Sequence, residues 1–162
     1  MKYSVLILIG VVAFGCSSRV HNENTATVKA YVKAVEALDY ETMGSLLSDD
    51  YRGLGPSAHH EINKTEAIEK WKENSKNLYE KIEYTQSEFG GVEILEGENK
   101  GFWVTNWAEL KIQYKNGKGE VTVWANSNYK IENGKIVKSY TFYNVADVLV
   151  QLGYVFINPN DL

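Results

Sequence analysis

The apolar residues of this chain change their period once, near Tyr79, and that switch sets the fold class. Before it they recur at helical spacing. Val28, Tyr31, Val32, Val35 and Leu38 fall at i, i+3, i+4, i+7 and i+10, one face of an amphipathic helix. Asp39 is placed to cap a second, short helix carrying Met43, Leu46 and Leu47, so the two helices form a hairpin. Residues 49–61 (DDYRGLGPSAHHE) read as a loop, with Gly53, Gly55 and Pro56 as breakers. A third helix starts near Asn63, where Asn63 and Glu66 have capping-box spacing, and carries Ala67, Ile68, Trp71 and Leu78.

After Tyr79 the period is two. Residues 82–89 and 92–95 flank Gly90–Gly91, which predicts a long strand with a kink or bulge at the glycines. Residues 102–114 put Phe102, Val104, Ala108, Leu110, Ile112 and Tyr114 on one face, interrupted by Asn106. A turn at Asn116–Gly117 leads to a strand over 120–131. Asn133–Gly134 is a two-residue hairpin signal before a strand over 135–144. Val145, Val148, Leu149 and Leu152 then form a last amphipathic turn, stopped by Gly153. Three helices followed by four long antiparallel strands predict an α+β domain, with the helices packed on one face of a curved antiparallel sheet.

The first sixteen residues have another use. Lys2 precedes ten uncharged, mostly apolar residues, 5–14. As a helix these span roughly 15 Å, about half a hydrocarbon core, which suits a secretory signal and not a transmembrane anchor. The run ends Ala13–Phe14–Gly15–Cys16, which resembles the bacterial lipobox, whose cysteine becomes the lipidated first residue of the mature chain. The alternative is an ordinary cleaved signal with an incidental cysteine. Residues 1–16 are thus expected to be a signal peptide with its lipidation site at Cys16, tethering the protein to the membrane of a bacterial cell envelope. Ser17 in place of Asp after the cysteine points to the periplasmic face of the outer membrane, or the cell surface. Cys16 is the only cysteine, so no disulfide or free thiol serves the domain.

Residues 17–24 (SSRVHNEN) are polar and read as a flexible spacer. About 140 residues remain, a single-domain length. A formal charge of −4 without a basic cluster argues against nucleic acid as a partner.

The helical hairpin, Asn63–Trp71 (NKTEAIEKW) and the stretch 132–153 (ENGKIVKSYTFYNVADVLVQLG) resemble the nuclear-transport-factor-2-like superfamily, nearest to its SnoaL-like polyketide-cyclase branch. The resemblance covers residues 25–155 and leaves 156–162 as a tail. It implies a cone-like, cystatin-like α+β barrel whose sheet curls round the helices to leave a pocket. In such proteins an acidic residue on an inner strand often moves protons. The matching positions here are Ser127, Thr141, Phe142 and Asn144, all neutral, with Tyr140 where a Trp is common.

A small, partly apolar ligand bound without turnover is therefore the leading expectation, with neither cofactor nor metal. The pocket residues expected are Tyr51, His59, His60, Trp71, Asn106, Ser127, Tyr129, Tyr140 and Asn144. A lyase, isomerase or cyclase using His59, His60 or Asp147 as acid or base is the alternative; imidazole titrates near neutral pH. The histidines also read as a solvated loop pair, and Asp147 as a surface position. Trp103, Trp107 and Trp124 alternate with polar residues on the outer sheet face. They are expected to form a homodimer interface, or else a ligand-stacking or partner-docking surface.

Overall fold

The computed structural model describes residues 7–158 and 160, with side chains described from Val20 onward. Lys2 and the start of the signal lie outside the described residues, as does the Cys16 side chain.

Helix α1 (Ile7–Glu36) is the longest. It includes the stretch expected to be a flexible spacer. No Pro or Gly interrupts residues 16–36, so nothing stops the helix from propagating back from its buried face. Thr25 Oγ1 and Thr27 Oγ1 donate to the His21 and Glu23 carbonyls at 2.9 and 3.2 Å. His21 stacks on Phe102 with ring centres 4.3 Å apart, and Asn24 is buried. The contact face therefore reaches below Val28 through polar residues, which an apolar count overlooks. Among the described residues no helix is long and apolar enough to cross a membrane.

Asp39 caps helix α2 (Tyr40–Leu46), accepting from the Thr42 amide at 2.9 Å. Helix α3 (Lys64–Asn77) opens on the expected capping box: Asn63 Oδ1 accepts from the Glu66 amide, and Glu66 accepts from the Asn63 amide.

Between these helices lie two strands that the breakers concealed: β1 (Leu47–Leu54) and β2 (Glu61–Asn63). They are followed by β3 (Tyr79–Ile94), β4 (Gly101–Tyr114), β5 (Gly119–Glu132), β6 (Lys135–Tyr143) and a short helix α4 (Val145–Gln151). The sheet order is β2-β1-β6-β5-β4-β3. Strand β1 runs parallel to β6 and every other pairing is antiparallel, so the sheet is mixed, with six strands in place of the expected four. The β5–β6 turn has Asn133 and Gly134 at φ 51° and 72°, the two positive angles of a type I′ hairpin.

Four register shifts interrupt the ladders among the described residues. Two fall between Leu47 and Arg52 of β1 and between Tyr79 and Lys81 of β3. A third separates Lys130 from Ile131 against β6. The fourth falls between Thr85 and Glu88 of β3, with Gln86 at φ 48°. The bulge is therefore not at Gly90–Gly91, which pair in regular register with Thr105 and Val104. At Gly91 the glycine is needed for clearance: a Cβ would sit 2.7 Å from the Phe102 ring.

Helices α1 and α3 lie in the hollow of the sheet. Val28, Val32 and Val35 share one core cluster with Val104, Ala108, Val123, Tyr129 and Ile131 and with Met43, Leu47 and Ile136.

Candidate functional site

The hollow is not completely filled. A cavity of about 320 Å³ remains between α3, the inner face of the sheet and the loop after β1, a size that suits a small molecule. Its walls follow from period-two alternation. Strand β5 sends Val123, Ala125, Ser127 and Tyr129 alternately inward, and β6 sends Ser139, Thr141 and Tyr143. Strands β3 and β4 add Tyr79, Tyr84, Leu110 and Tyr114. From α3 come Ala67, Lys70, Trp71 and Asn74, the i, i+3, i+4, i+7 stripe of one helix face.

The polar groups inside are hydroxyls, mostly arranged in pairs. Tyr51 Oη and Ser139 Oγ are 2.7 Å apart across the parallel β1–β6 pairing. Ser127 Oγ and Thr141 Oγ1 are 3.0 Å apart at one register position of β5 and β6. Gly53 makes the first pair possible, because a Cβ there would lie 2.5 Å from Tyr51 Oη. Side-chain polar atoms that are buried all have partners among the described residues.

Burial governs the acidity of these groups. It holds the Tyr31 and Tyr84 hydroxyls well above the ordinary phenol value, with neighbouring tyrosines adding to the effect. Tyr129 is pushed up to about 12 by burial, against a lowering hydrogen bond from Ser127. Tyr51 is raised by burial and opposed by its bond to Ser139, and Tyr79 is raised by burial and by Tyr114. Near neutral pH the cavity therefore offers neutral hydroxyls that donate and accept hydrogen bonds without ionising.

Of the expected pocket residues, Tyr51, Trp71, Ser127 and Tyr129 line this cavity. The other five do not. His59 and His60 are exposed in the β1–β2 connection, where the His60 amide bonds the Ser57 carbonyl. Asn144 is exposed and caps α4, its Oδ1 accepting from the Asp147 amide at 3.1 Å. Asp147 is exposed and receives Gln151 Nε2 at 3.0 Å, which ties α4 to β5 through Thr122. With these placements the three side chains expected to act as acid or base stand outside the cavity.

Tyr140 has the opposite parity to Ser139 and Thr141, so it belongs to the outer face. There it stacks between Trp103 and Phe142, at 5.8 and 6.3 Å. Asn106 points inward but is buried beyond the cavity, with Nδ2 donating to Ser87 Oγ at 2.8 Å and the Glu88 carbonyl at 3.0 Å. It fastens the β3 bulge. Among the described residues no three His, Cys, Asp or Glu side chains converge to hold a metal.

The three outer tryptophans differ. Trp107 and Trp124 are 52% and 59% exposed, whereas Trp103 is only 4% exposed. Its indole donates to the Asn99 carbonyl at 2.8 Å. Trp103 is thus covered by its own chain and presents no surface to a partner.

Sequence reasoning missed Tyr31, Lys70, Tyr79, Tyr84, Tyr114, Ser139 and Tyr143, and reached Thr141 only through the family resemblance. Extending the Ser127–Tyr129 alternation across the Asn133–Gly134 hairpin leads to Ser139 and Thr141. The two β3 tyrosines carry no such signal.

The geometry has clear counterparts. The sequence model of the SnoaL-like domain matches residues 25–133. A putative polyketide cyclase from Pseudomonas putida superposes with a TM-score of 0.63 at 19% identity, covering 79% of this chain and 96% of that one. A phenazine biosynthesis-related protein from Pseudomonas aeruginosa gives 0.63 at 20% identity, covering 90% and 94%. A hypothetical protein with a ketosteroid isomerase-like fold from Catenulispora acidiphila, solved with trimethylamine, gives 0.62 at 14% identity, covering 80% and 93%. No curated protein matches the chain. At these identities the solved structures share the fold alone, and that fold hosts varied chemistry. The family match spans most of the chain and the cone-shaped fold agrees with it: the protein belongs to the SnoaL-like domain family.

Proposed function

We propose that the protein is a lipid-anchored, cell-envelope binding domain that holds a small, partly apolar molecule in its cavity without converting it. One observation carries the reading. The described cavity lining is built from apolar side chains and neutral hydroxyls, with Lys70 and Asn74 at its rim and neither carboxylate nor imidazole among them. Proton transfer next to a carbonyl needs a group that titrates near the working pH. Tyrosines held above their ordinary value serve poorly as proton donors or acceptors, but well as fixed hydrogen-bond partners.

The test uses protein purified from its native membrane and extracted with solvent. Mass spectrometry is expected to find one small molecule, returned unchanged after prolonged incubation with the protein. Ala125→Trp, which fills the cavity from β5, should lose that molecule while its thermal midpoint holds. Retention of the molecule by Ala125→Trp would place it elsewhere, and its conversion by the wild type would replace binding with catalysis.

The anchor and the outer face complete the proposal. Val92, Trp107, Trp124 and Phe142 are exposed apolar side chains on the convex side of the sheet, which a second copy would cover. Cys16→Ser should abolish lipidation and move the protein to the soluble fraction. There it is expected to sediment as a dimer that Trp124→Lys dissociates. A Cys16→Ser protein still processed and membrane-bound would defeat the anchor; a monomer before the second substitution would defeat the interface.

A further inference from the structure

The cavity has one charge, and it sits at the rim. Along the lining stripe of α3, Ala67 is buried, Trp71 and Asn74 are half-buried and Lys70 is exposed. Lys70 is the single charged side chain among the described lining residues. Its carboxylate neighbours do not take it up. Glu66, one turn back, closes the capping box on the Asn63 amide at 2.8 Å, and no ion pair joins Lys70 to Glu69 or Glu73 among the described residues. Asn74 lies one turn further along the same face and adds an amide that can donate.

Deeper in, the environment changes sign of preference. Burial that keeps phenols neutral also opposes any ligand charge carried inside. A molecule suited to both regions has an apolar body for the tyrosine-lined interior and an anionic end for the wet rim.

From this arrangement we infer that the cavity selects amphipathic anions, binding the body among Tyr31, Tyr79 and Tyr129 and the anionic group at Lys70 with Asn74. The inference rests on the binding reading above and adds the class of ligand.

A matched probe pair tests it: 2-naphthoate and its neutral counterpart 2-naphthylmethanol, titrated calorimetrically against the soluble Cys16→Ser protein. Wild type should bind both, and Ala125→Trp neither. Lys70→Gln should weaken 2-naphthoate about fivefold, the scale of one partly solvated ion pair, and leave 2-naphthylmethanol within error. Lys70→Arg should retain most of the preference, and added salt should erode it for the anion alone. If Lys70→Gln changes neither probe, or both equally, the charge selection is wrong while cavity binding stands. If both probes bind Ala125→Trp as well as wild type, the cavity reading fails with it.

Discussion

Asn106→Asp should destabilise the protein by about 3 kcal/mol at pH 7, the desolvation cost of a buried charged group set against an acceptor. For a chain of this length that lowers the melting midpoint by roughly 6–12 °C. The side chain is 2% exposed and its amide nitrogen reaches both Ser87 Oγ and the Glu88 carbonyl. An aspartate fits the same space but has no N–H to give. Ser87 can turn its hydroxyl proton toward the carboxylate, whereas the Glu88 carbonyl can only accept, so two oxygens face each other in a dry site.

That pair also anchors the turn of backbone at Gln86, whose φ of 48° is unfavourable for a residue with a Cβ. The damage should therefore spread to β3. The cost should shrink in acid, because burial raises the aspartate's folded value above its unfolded value near 3.9. The protonated form restores a donor, and its contribution is lost as pH rises through the folded value. Denaturant midpoints at pH 4.5 and 7 for wild type, Asn106→Asp and Asn106→Leu decide the matter. The leucine variant should lose about 2 kcal/mol at either pH. An Asn106→Asp loss below about 1 kcal/mol, unchanged with pH, would show that this amide does not hold the bulge.

Asn106 also shows what sequence periodicity can and cannot resolve. Its inward parity is legible from the alternation of Val104, Ala108 and Leu110. Whether it meets a cavity or a neighbouring strand is not, because that depends on a bulge that carries no glycine or proline. The visible double glycine, Gly90–Gly91, lies in regular register and serves clearance for Phe102. Caps and turns read well because their causes are local: Asn63 with Glu66, Asp39 with Thr42, and Asn133–Gly134 each satisfy backbone groups within a few residues.

Strand β1 reads poorly because its cause is distant. Its segment LSDDYRGL buries Leu47, Tyr51 and Gly53 only because β6, some eighty residues later, lies parallel beside it. The Tyr51–Ser139 pair depends on that pairing, so one of the cavity's two hydroxyl pairs follows from a contact no local pattern announces. Residues 17–24 fail for the opposite reason: their side chains are polar, yet His21 and Asn24 are packed.

The same buried hydroxyls set the second large effect, a cooperative loss of structure in alkali. Tyr31 and Tyr129 are buried and Tyr84 is partly buried, and burial holds each above the phenol value of about 10 that applies in the unfolded chain. Above pH 10 the unfolded chain releases protons that the folded chain keeps, so stability falls with rising pH. Each such tyrosine contributes a slope of about 1.4 kcal/mol per pH unit, and the three together about 4. The slope persists until the folded values are reached, about 12 for Tyr129 and well above the ordinary phenol value for the other two. Against a domain stability of about 5–8 kcal/mol, the lower part of the usual range, this brings unfolding to roughly pH 11–12. Absorbance at 295 nm should show exposed tyrosines ionising gradually and the buried set ionising in one step, coincident with loss of circular dichroism. Tyr129→Phe removes one titrating group and the hydroxyl that meets Ser127, so it should flatten the slope by about 1.4 kcal/mol per unit, even if stability at pH 7 also falls. Smooth ionisation of every tyrosine near pH 10, with the fold intact, would mean that water reaches these phenols and that the cavity is neither dry nor selective against charge.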